Sequence, residues 1–175
     1  MSGIGVLDGR PGPDEVAEYY RGYLEHRPAG SLLSALAGQL EETFRVVDAL
    51  GVDPDYRYAA GKWSLKEVLV HLADTERVFG YRALRIARGD ATPLPGFAQD
   101  DYVVPDDLAP RTLDGVKAEL AAVRASTAAL FRGLTDAALL RTGTASGVTF
   151  TPRGIAWVIA GHEIHHRAIL DERYR

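Results

Sequence analysis

The sequence predicts an all-α protein: a four-helix bundle with a long crossover between the second and third bundle helices, plus a short helix near the N-terminus. Four long segments carry apolar residues spaced three and four positions apart, which is the period of a helix with one buried face. A non-periodic, proline-rich stretch at 90–110 separates the second of these segments from the third. The longest convincing alternating strand covers only residues 148–150. This pattern is typical of a bundle with a crossover connection.

The N-terminal part of the chain precedes the bundle. Residues 1–12 are rich in glycine and proline, which predicts a flexible N-terminal arm or, alternatively, a tail held against the domain, and residues 13–175 are predicted to form one domain. A short helix is predicted over 13–25, because Pro13 is typical of a first helical position and Pro28 would end the helix.

Each bundle helix has a start signal of its own. In chain order the signals are Ser31, the S-x-x-E capping box of Ser64 and Glu67, Thr112, and the Thr151-Pro152 pair. The second bundle helix is predicted over 63–88, and Gly89 is the expected C-cap that stops it.

The composition of the chain argues against several classes of function. The chain has 175 residues, of which 46% are hydrophobic and 25% charged, and this fits one globular domain. Twenty basic residues against 24 acidic ones argue against nucleic acid as a partner, because binding phosphates takes an excess of Lys and Arg. The absence of cysteine excludes disulfides, Cys-ligated zinc and a cysteine nucleophile. With no signal peptide and no apolar run of membrane-spanning length, we expect a cytoplasmic protein without a membrane partner.

Two histidines on the last helix are spaced to bind a metal ion. His162 and His166 are one turn apart and fall near the centre of the apolar stripe of Ile155, Val158 and Ile159, so both imidazoles should point into the core. At this spacing both rings can reach one ion at about 2.1 Å. The alternative is a pair of core histidines satisfied by hydrogen bonds. Two adjacent buried imidazoles need partners, which favours the metal.

A third ligand must come from elsewhere in the chain. His71 lies in the middle of a bundle helix at the flank of its apolar stripe, whereas His26 lies at a helix end. One histidine from one helix and a pair from another leave coordination positions open, as in catalytic metal sites. The string 162–166 (HEIHH) also matches the H-E-x-x-H pattern of zinc proteases, but only nine residues follow it and the metzincin continuation is absent.

Four residues are candidates for proton transfer. Glu76 points into the core five residues after His71, where a buried ion pair or hydrogen bond is the alternative to a role at the metal site. Glu163 and His165 lie beside the presumed ligands and could carry protons. Tyr102 belongs to a polar stretch of the crossover that is either a lid over the site or an ordinary loop.

Three parts of the sequence resemble the DinB-like (YfiT-like) family of metal-dependent proteins. They are 61–72 (GKWSLKEVLVHL), 93–97 (PLPGF) with 100–102 (DDY), and 161–166 (GHEIHH). The resemblance extends from about Leu32 onward. It implies an up-down-down-up bundle and, frequently, a dimer. It also implies a divalent metal held by His71, His162 and His166, with water completing the coordination shell.

The resemblance suggests an activity as well. Characterised relatives include thiol S-transferases that use bacillithiol or mycothiol and a mycothiol-dependent maleylpyruvate isomerase. The leading hypothesis is therefore a metalloenzyme, with Zn, Ni or Fe, that activates a low-molecular-weight thiol for transfer to a small electrophilic substrate. Hydrolysis by metal-activated water is the alternative among enzymes, and a non-catalytic, metal-stabilised dimeric bundle is the alternative outside them.

The expected homodimer also has a candidate interface. The last helix carries a second apolar line opposite the histidine pair, formed by Trp157, Gly161, Ile164 and Ala168. A helix that is apolar on two sides must be covered twice, either by its own bundle or by a partner. Gly161 permits close approach, which favours a dimer seam along this line.

Overall fold

Four long helices form the bundle, and seven short elements connect and cover them within residues 4–26 and 30–175, which are the residues that this computed structural model describes. The long helices are α2 (Leu32–Leu50), α3 (Leu65–Ala87), α6 (Leu113–Arg132) and α8 (Pro152–Arg173). The short elements are α1 (Ile4–Asp8), a 3-10 helix (Glu18–Glu25), α4 (Gln99–Tyr102), α5 (Pro105–Leu108), α7 (Asp136–Leu139), β1 (Gly143–Ala145) and β2 (Val148–Phe150). The predicted all-α class is confirmed. The predicted helix stop at Pro28 lies outside the described residues.

All four bundle helices begin at the predicted capping residues. The side chains of Ser31, Thr112 and Thr151 each accept a hydrogen bond from a backbone N–H three residues later. Ser64 and Glu67 form the complete capping box, because each side chain accepts a bond from the other's backbone N–H. These bonds satisfy N–H groups that the first turn of a helix otherwise leaves free.

The packing order gives the bundle its up-down-down-up topology, as expected. Helices α2 and α3 each pack against both α6 and α8, so the two consecutive helices α2 and α3 lie on a diagonal. Contacts from Glu76 to Arg124 and from Gly80 to Thr127 advance together along α3 and α6, which are therefore parallel. Helices α2 and α8 are parallel to each other in the same way, and α2 and α6 are antiparallel.

The crossover between α3 and α6 is attached to a β-hairpin. Strands β1 and β2 pair antiparallel around Ser146 and Gly147, both of which have positive φ, as a tight hairpin turn requires. Leu94 of the crossover donates to the carbonyl of Thr144 (2.9 Å) and accepts from the N–H of Ser146 (3.0 Å). The hairpin thus holds residues 95–97 beside α3.

The N-terminal segment packs against α8, so residues 4–8 follow the alternative of a tail held against the domain and not the predicted flexible arm. These residues form α1, in which Leu7 is buried, and the indole N–H of Trp157 donates to the Leu7 carbonyl (2.9 Å). A Cβ on Gly161 would lie 2.0 Å from the carbonyl oxygen of Tyr23, so only glycine lets the 3-10 helix lie this close to α8.

This cover also corrects the predicted dimer seam. The apolar line on α8 does need a second cover, but the chain's own N-terminal segment provides it at Trp157 and Gly161. Ile164 is half-buried and Ala168 is exposed. The homodimer remains a prediction, but the interface that the sequence suggested for it is already partly covered by the chain itself.

The interior consists of two apolar clusters with a polar layer between them. The cluster at the hairpin end includes Phe79, Phe131, Phe150 and Trp157. The cluster at the opposite end includes Leu69, Leu120, Leu170 and Tyr174. Between them lie the buried polar residues Thr43, His71, Thr75, Glu76, Arg124, His162 and Glu163. Every bundle helix contributes to this layer, which contains the candidate site.

No helix in the described part of the chain combines the length and the apolar character that crossing a membrane requires.

Candidate metal centre

Three histidine nitrogens converge in the polar layer. The Nε2 atom of His162 lies 3.1 Å from Nε2 of His71 and 3.1 Å from Nε2 of His166. His71 and His162 are 3% and 7% exposed, and His166 is half-buried. Helix α8 supplies the pair one turn apart, and α3 supplies the third ring from across the bundle.

The spacing of these nitrogens fits a metal ion. Ligand nitrogens about 2.1 Å from one ion, at angles of about 90–109°, are about 3.0–3.4 Å apart. The two observed distances fall in this range, and all three ligand atoms lie within 4.8 Å of one another. Hydrogen bonding alone fits less well, because the Nε2–H of His162 cannot point at both neighbouring nitrogens at once.

A hydroxyl and an indole ring hold His71 in place. Thr75, one turn further along α3, has its Oγ1 3.3 Å from Nδ1 of His71. If that nitrogen donates to the hydroxyl, Nε2 carries the lone pair that a metal needs. The Trp63 ring packs on the imidazole with 4.6 Å between ring centroids. The orientation of this ligand is thus fixed from two sides.

Burial keeps the three imidazoles neutral at physiological pH. It lowers the pKa of His71 to about 4, and burial together with the neighbouring histidines lowers the pKa of His166 to about 3. The pKa of His162 is lowered well below its usual value for the same reasons. Neutral imidazole is the form that binds metal ions.

Glu76 and Glu163, two of the predicted candidates, are paired with a buried arginine. Arg124 of α6 donates to both oxygens of Glu76 (2.9 and 2.8 Å) and lies 2.7 Å from an oxygen of Glu163. Glu163 also accepts from Thr43 and Gln39, each at 2.6 Å. The ion pair that competed with a catalytic role for Glu76 is therefore present. The two carboxylates share this one guanidinium.

The other predicted residues lie outside the cluster of three nitrogens. The His165 ring is half-buried and packs against Tyr23 and His26, with ring centroids 5.6 and 6.0 Å apart. His26 is not among the converging histidines, as expected. Tyr102 is half-exposed on the crossover, where its ring lies 5.2 Å from that of Phe97.

Two pockets border the histidine cluster. One, of about 480 Å³, has His166 in its wall together with Trp63. The other, of about 390 Å³, has His162 in its wall together with Phe97 of the crossover. Asp100, also on the crossover, lines both pockets. The histidine cluster is therefore bordered by two pockets that share one residue of the crossover.

Several of these contributors were missed in the sequence. Arg124 follows Leu120 by four residues and precedes Phe131 by seven, so it lies within the apolar stripe of α6, and an arginine in that position was the available signal. Thr75 lies one turn beyond His71, and this is the spacing at which two side chains on a helix can contact each other. Nothing in the sequence indicated the two pockets, because their shape depends on how the crossover folds back.

Residues 35–170 match the sequence model of the DinB superfamily. YfiT from Bacillus subtilis, described as a probable metal-dependent hydrolase with an unusual four-helix bundle topology, has a similar structure, with a TM-score of 0.66 and 20% sequence identity over 94% of this chain and 91% of that chain. At that identity the likeness concerns the fold. No curated protein matches the chain significantly.

Proposed function

Because the chain belongs to the DinB superfamily, we propose that it is a metal-dependent enzyme that transfers a low-molecular-weight thiol to a small electrophile. The observation that carries the proposal is the convergence of three histidine nitrogens, on two buried rings and one half-buried ring, in a cluster that two pockets border. His71, His162 and His166 hold a divalent ion of the zinc, nickel or iron type. The bound ion lowers the pKa of a thiol so that the thiolate is available at neutral pH.

The two pockets support a reaction between two substrates. A transferase must bring a nucleophile and an electrophile to one point from different directions. Here His166 lines one pocket and His162 lines the other. The chain contains no cysteine, so the sulfur has to come from a cosubstrate.

The chain's own residues have defined parts in this proposal. Thr75 and Trp63 orient His71, and the ion pairs around Arg124 fix the helices that carry the histidines. Glu163 is held in place by three neighbours, Thr43, Gln39 and Arg124. We assign it to the support of the site.

A metal-dependent hydrolase is the second candidate. The observation that favours it is the shared fold with YfiT, a protein described as a probable metal-dependent hydrolase. The same three histidines would hold the ion, with water in place of the thiol.

Cobalt-substituted protein distinguishes these functions. Adding N-acetylcysteine should produce a sulfur-to-cobalt absorption band in the near ultraviolet, and adding N-acetylserine, which has the same shape with oxygen for sulfur, should not. The same thiol should then react faster with an electrophile in the presence of the protein. If both compounds leave the spectrum unchanged, thiol transfer is wrong, and ester hydrolysis by the zinc protein becomes the next assay. If hydrolysis is absent too, the metal has only a structural role.

A further inference from the structure

A second buried arginine lies about three helical turns from His71 along α3 and has no carboxylate partner among the described residues. Arg82 of α3 is 1% exposed. Its Nη2 donates to the carbonyl of Pro95 (3.0 Å) and to Oγ of Ser146 (2.8 Å). Its Nη1 is buried without a hydrogen-bond partner. Salt bridges in the described part of the chain do not include Arg82, although burying an unpaired charge is costly.

Arg82 differs in this respect from the other fully buried arginine. Arg124 shares its charge with Glu76 and Glu163, and these two carboxylates raise its pKa against the effect of burial. Burial lowers the pKa of Arg82, and the nearby Tyr20 opposes this only in part. The guanidinium stays charged in either case, so Arg82 is a cation with an unused donor.

The groups around Arg82 also form the walls of the pocket that reaches His162. The rings of Phe79 and Phe97 have their centroids 5.3 and 5.5 Å from the guanidinium carbon, and both rings line this 390 Å³ pocket together with Ser146. Three tyrosines line it as well: Tyr19, Tyr20 and Tyr23. The pocket thus combines aromatic walls with a presumed metal ligand, and the buried cation lies directly behind the wall formed by Phe79, Phe97 and Ser146.

We propose that this pocket binds a small aromatic carboxylate and that Nη1 of Arg82 pairs with the carboxylate group. The aromatic walls suit a flat ring, and a guanidinium is the side chain best matched to a carboxylate. The inference rests on the proposed function and deepens it, because it gives the electrophilic substrate a chemical class. Asp100 is the acidic residue that lines this pocket, and its side chain is exposed to solvent. The ligand's carboxylate would therefore lie away from Asp100, at the buried end of the pocket.

Calorimetric titration with benzoate and benzamide tests the proposal. The two probes have the same ring and nearly the same size, but only benzoate is charged. We expect benzoate to bind about tenfold or more tightly than benzamide, as a charge-assisted hydrogen bond predicts. Arg82→Gln should lose this preference. Arg85→Gln is the matched control because Arg85 lies on the same helix, is only half-buried and pairs with Asp90.

Both the zinc-loaded and the chelator-treated protein should be titrated. Benzoate binding that depends on Arg82 in both forms supports the proposal, even if the protein proves to have no metal-dependent activity. Binding that disappears with the metal and survives in Arg82→Gln would mean that the carboxylate sits on the ion, and this would overturn it. Equal competition by inorganic phosphate would also overturn it, since it would reveal a general anion site.

The test does not depend on the fold of Arg82→Gln. If that variant is unfolded by circular dichroism, the wild-type comparison of benzoate with benzamide decides, and equal affinities contradict the proposal. Phe97→Leu gives a second check because Phe97 lies on the crossover and its loss leaves Arg82 in place. This variant should weaken benzoate binding several-fold and leave the preference for the charged probe intact.

Discussion

A single hydroxyl group helps to decide which nitrogen of His71 faces the other two histidines. Thr75 Oγ1 lies 3.3 Å from Nδ1 of His71, on the side opposite the nitrogen that points at His162. Groups that hydrogen-bond to a metal-ligating histidine in this way fix its tautomer and orientation.

Replacing Thr75 should therefore weaken the metal site without touching a ligand. We expect Thr75→Val to reduce zinc affinity about tenfold, the lower end of the range for such partners. Thr75→Ser keeps the hydroxyl and should stay close to the wild type. Competition with a chromophoric chelator measures both variants, and equal affinity in Thr75→Val would show that the hydroxyl has no part in the site.

The burial of His71 also predicts how the metal-free protein responds to acid. Its pKa is about 4 in the folded chain because of burial, against an ordinary value of 6.5. Between these values the unfolded chain takes up a proton that the folded chain does not. The free energy of unfolding should therefore fall as the pH is lowered from 6.5 toward 4, with His71 contributing up to about 1.4 kcal/mol per pH unit.

Urea denaturation of the metal-free protein at pH 7, 6 and 5 measures this dependence. His71→Gln removes the titrating group from the same position and should give a shallower decline over this range. An identical decline in wild type and variant would contradict the assignment of a low pKa to His71.

At the scale of single elements, α8 depends on a glycine that allows the N-terminal segment to approach. Alanine is favoured over glycine by about 1 kcal/mol in a helix, so Gly→Ala in an open position should stabilise the protein. At Gly161 the added Cβ would lie 2.0 Å from the Tyr23 carbonyl oxygen, and relieving such a clash typically costs about 1–3 kcal/mol.

Gly161→Ala and Gly38→Ala should consequently have opposite signs. Gly38 lies in α2 and an added Cβ would meet nothing within 4 Å, so Gly38→Ala should raise the melting temperature while Gly161→Ala lowers it. Differential scanning calorimetry measures both. If Gly161→Ala stabilised the protein as much as Gly38→Ala, the packing of residues 18–25 on α8 would be wrong.

At the scale of the whole molecule, one arginine joins all four bundle helices. Arg124 of α6 contacts Glu76 of α3, Glu163 of α8 and the carbonyl of Leu36 of α2 (3.0 Å), so its bonds reach the other three helices as well. Removing one partner of a buried ion pair leaves the other charges without compensation.

Arg124→Met should therefore destabilise the protein by about 3–5 kcal/mol, although methionine fills much of the same space. Arg132→Met on the exposed end of α6 is the control and should cost less than about 1 kcal/mol. Guanidinium denaturation of both variants gives the comparison. Equal losses in the two variants would mean that the polar layer does not hold the bundle together.

The sequence predicts the local features of this molecule well and its long-range contacts less well. The caps Ser31, Ser64, Thr112 and Thr151 depend on a few neighbouring residues, and all four are present. The spacing of the histidine pair on α8 likewise determines where both rings point.

What covers a helix cannot be deduced from the helix alone. The second apolar line of α8 indicated that a second cover was needed, but what provides that cover depended on where residues 4–26 fold back. The same limit applies to Arg82, whose neighbours Pro95 and Ser146 come from distant parts of the chain.

The central claim is that His71, His162 and His166 together hold one divalent metal ion. Elemental analysis of the purified, tag-free protein tests it most directly, beside the alanine variants of these three residues and of His26, which lies outside the cluster. We predict about one metal ion per chain in the wild type and in His26→Ala, and its loss in each of the other three variants. Wild-type protein that is metal-free as purified and also fails to bind added zinc or nickel would contradict the claim.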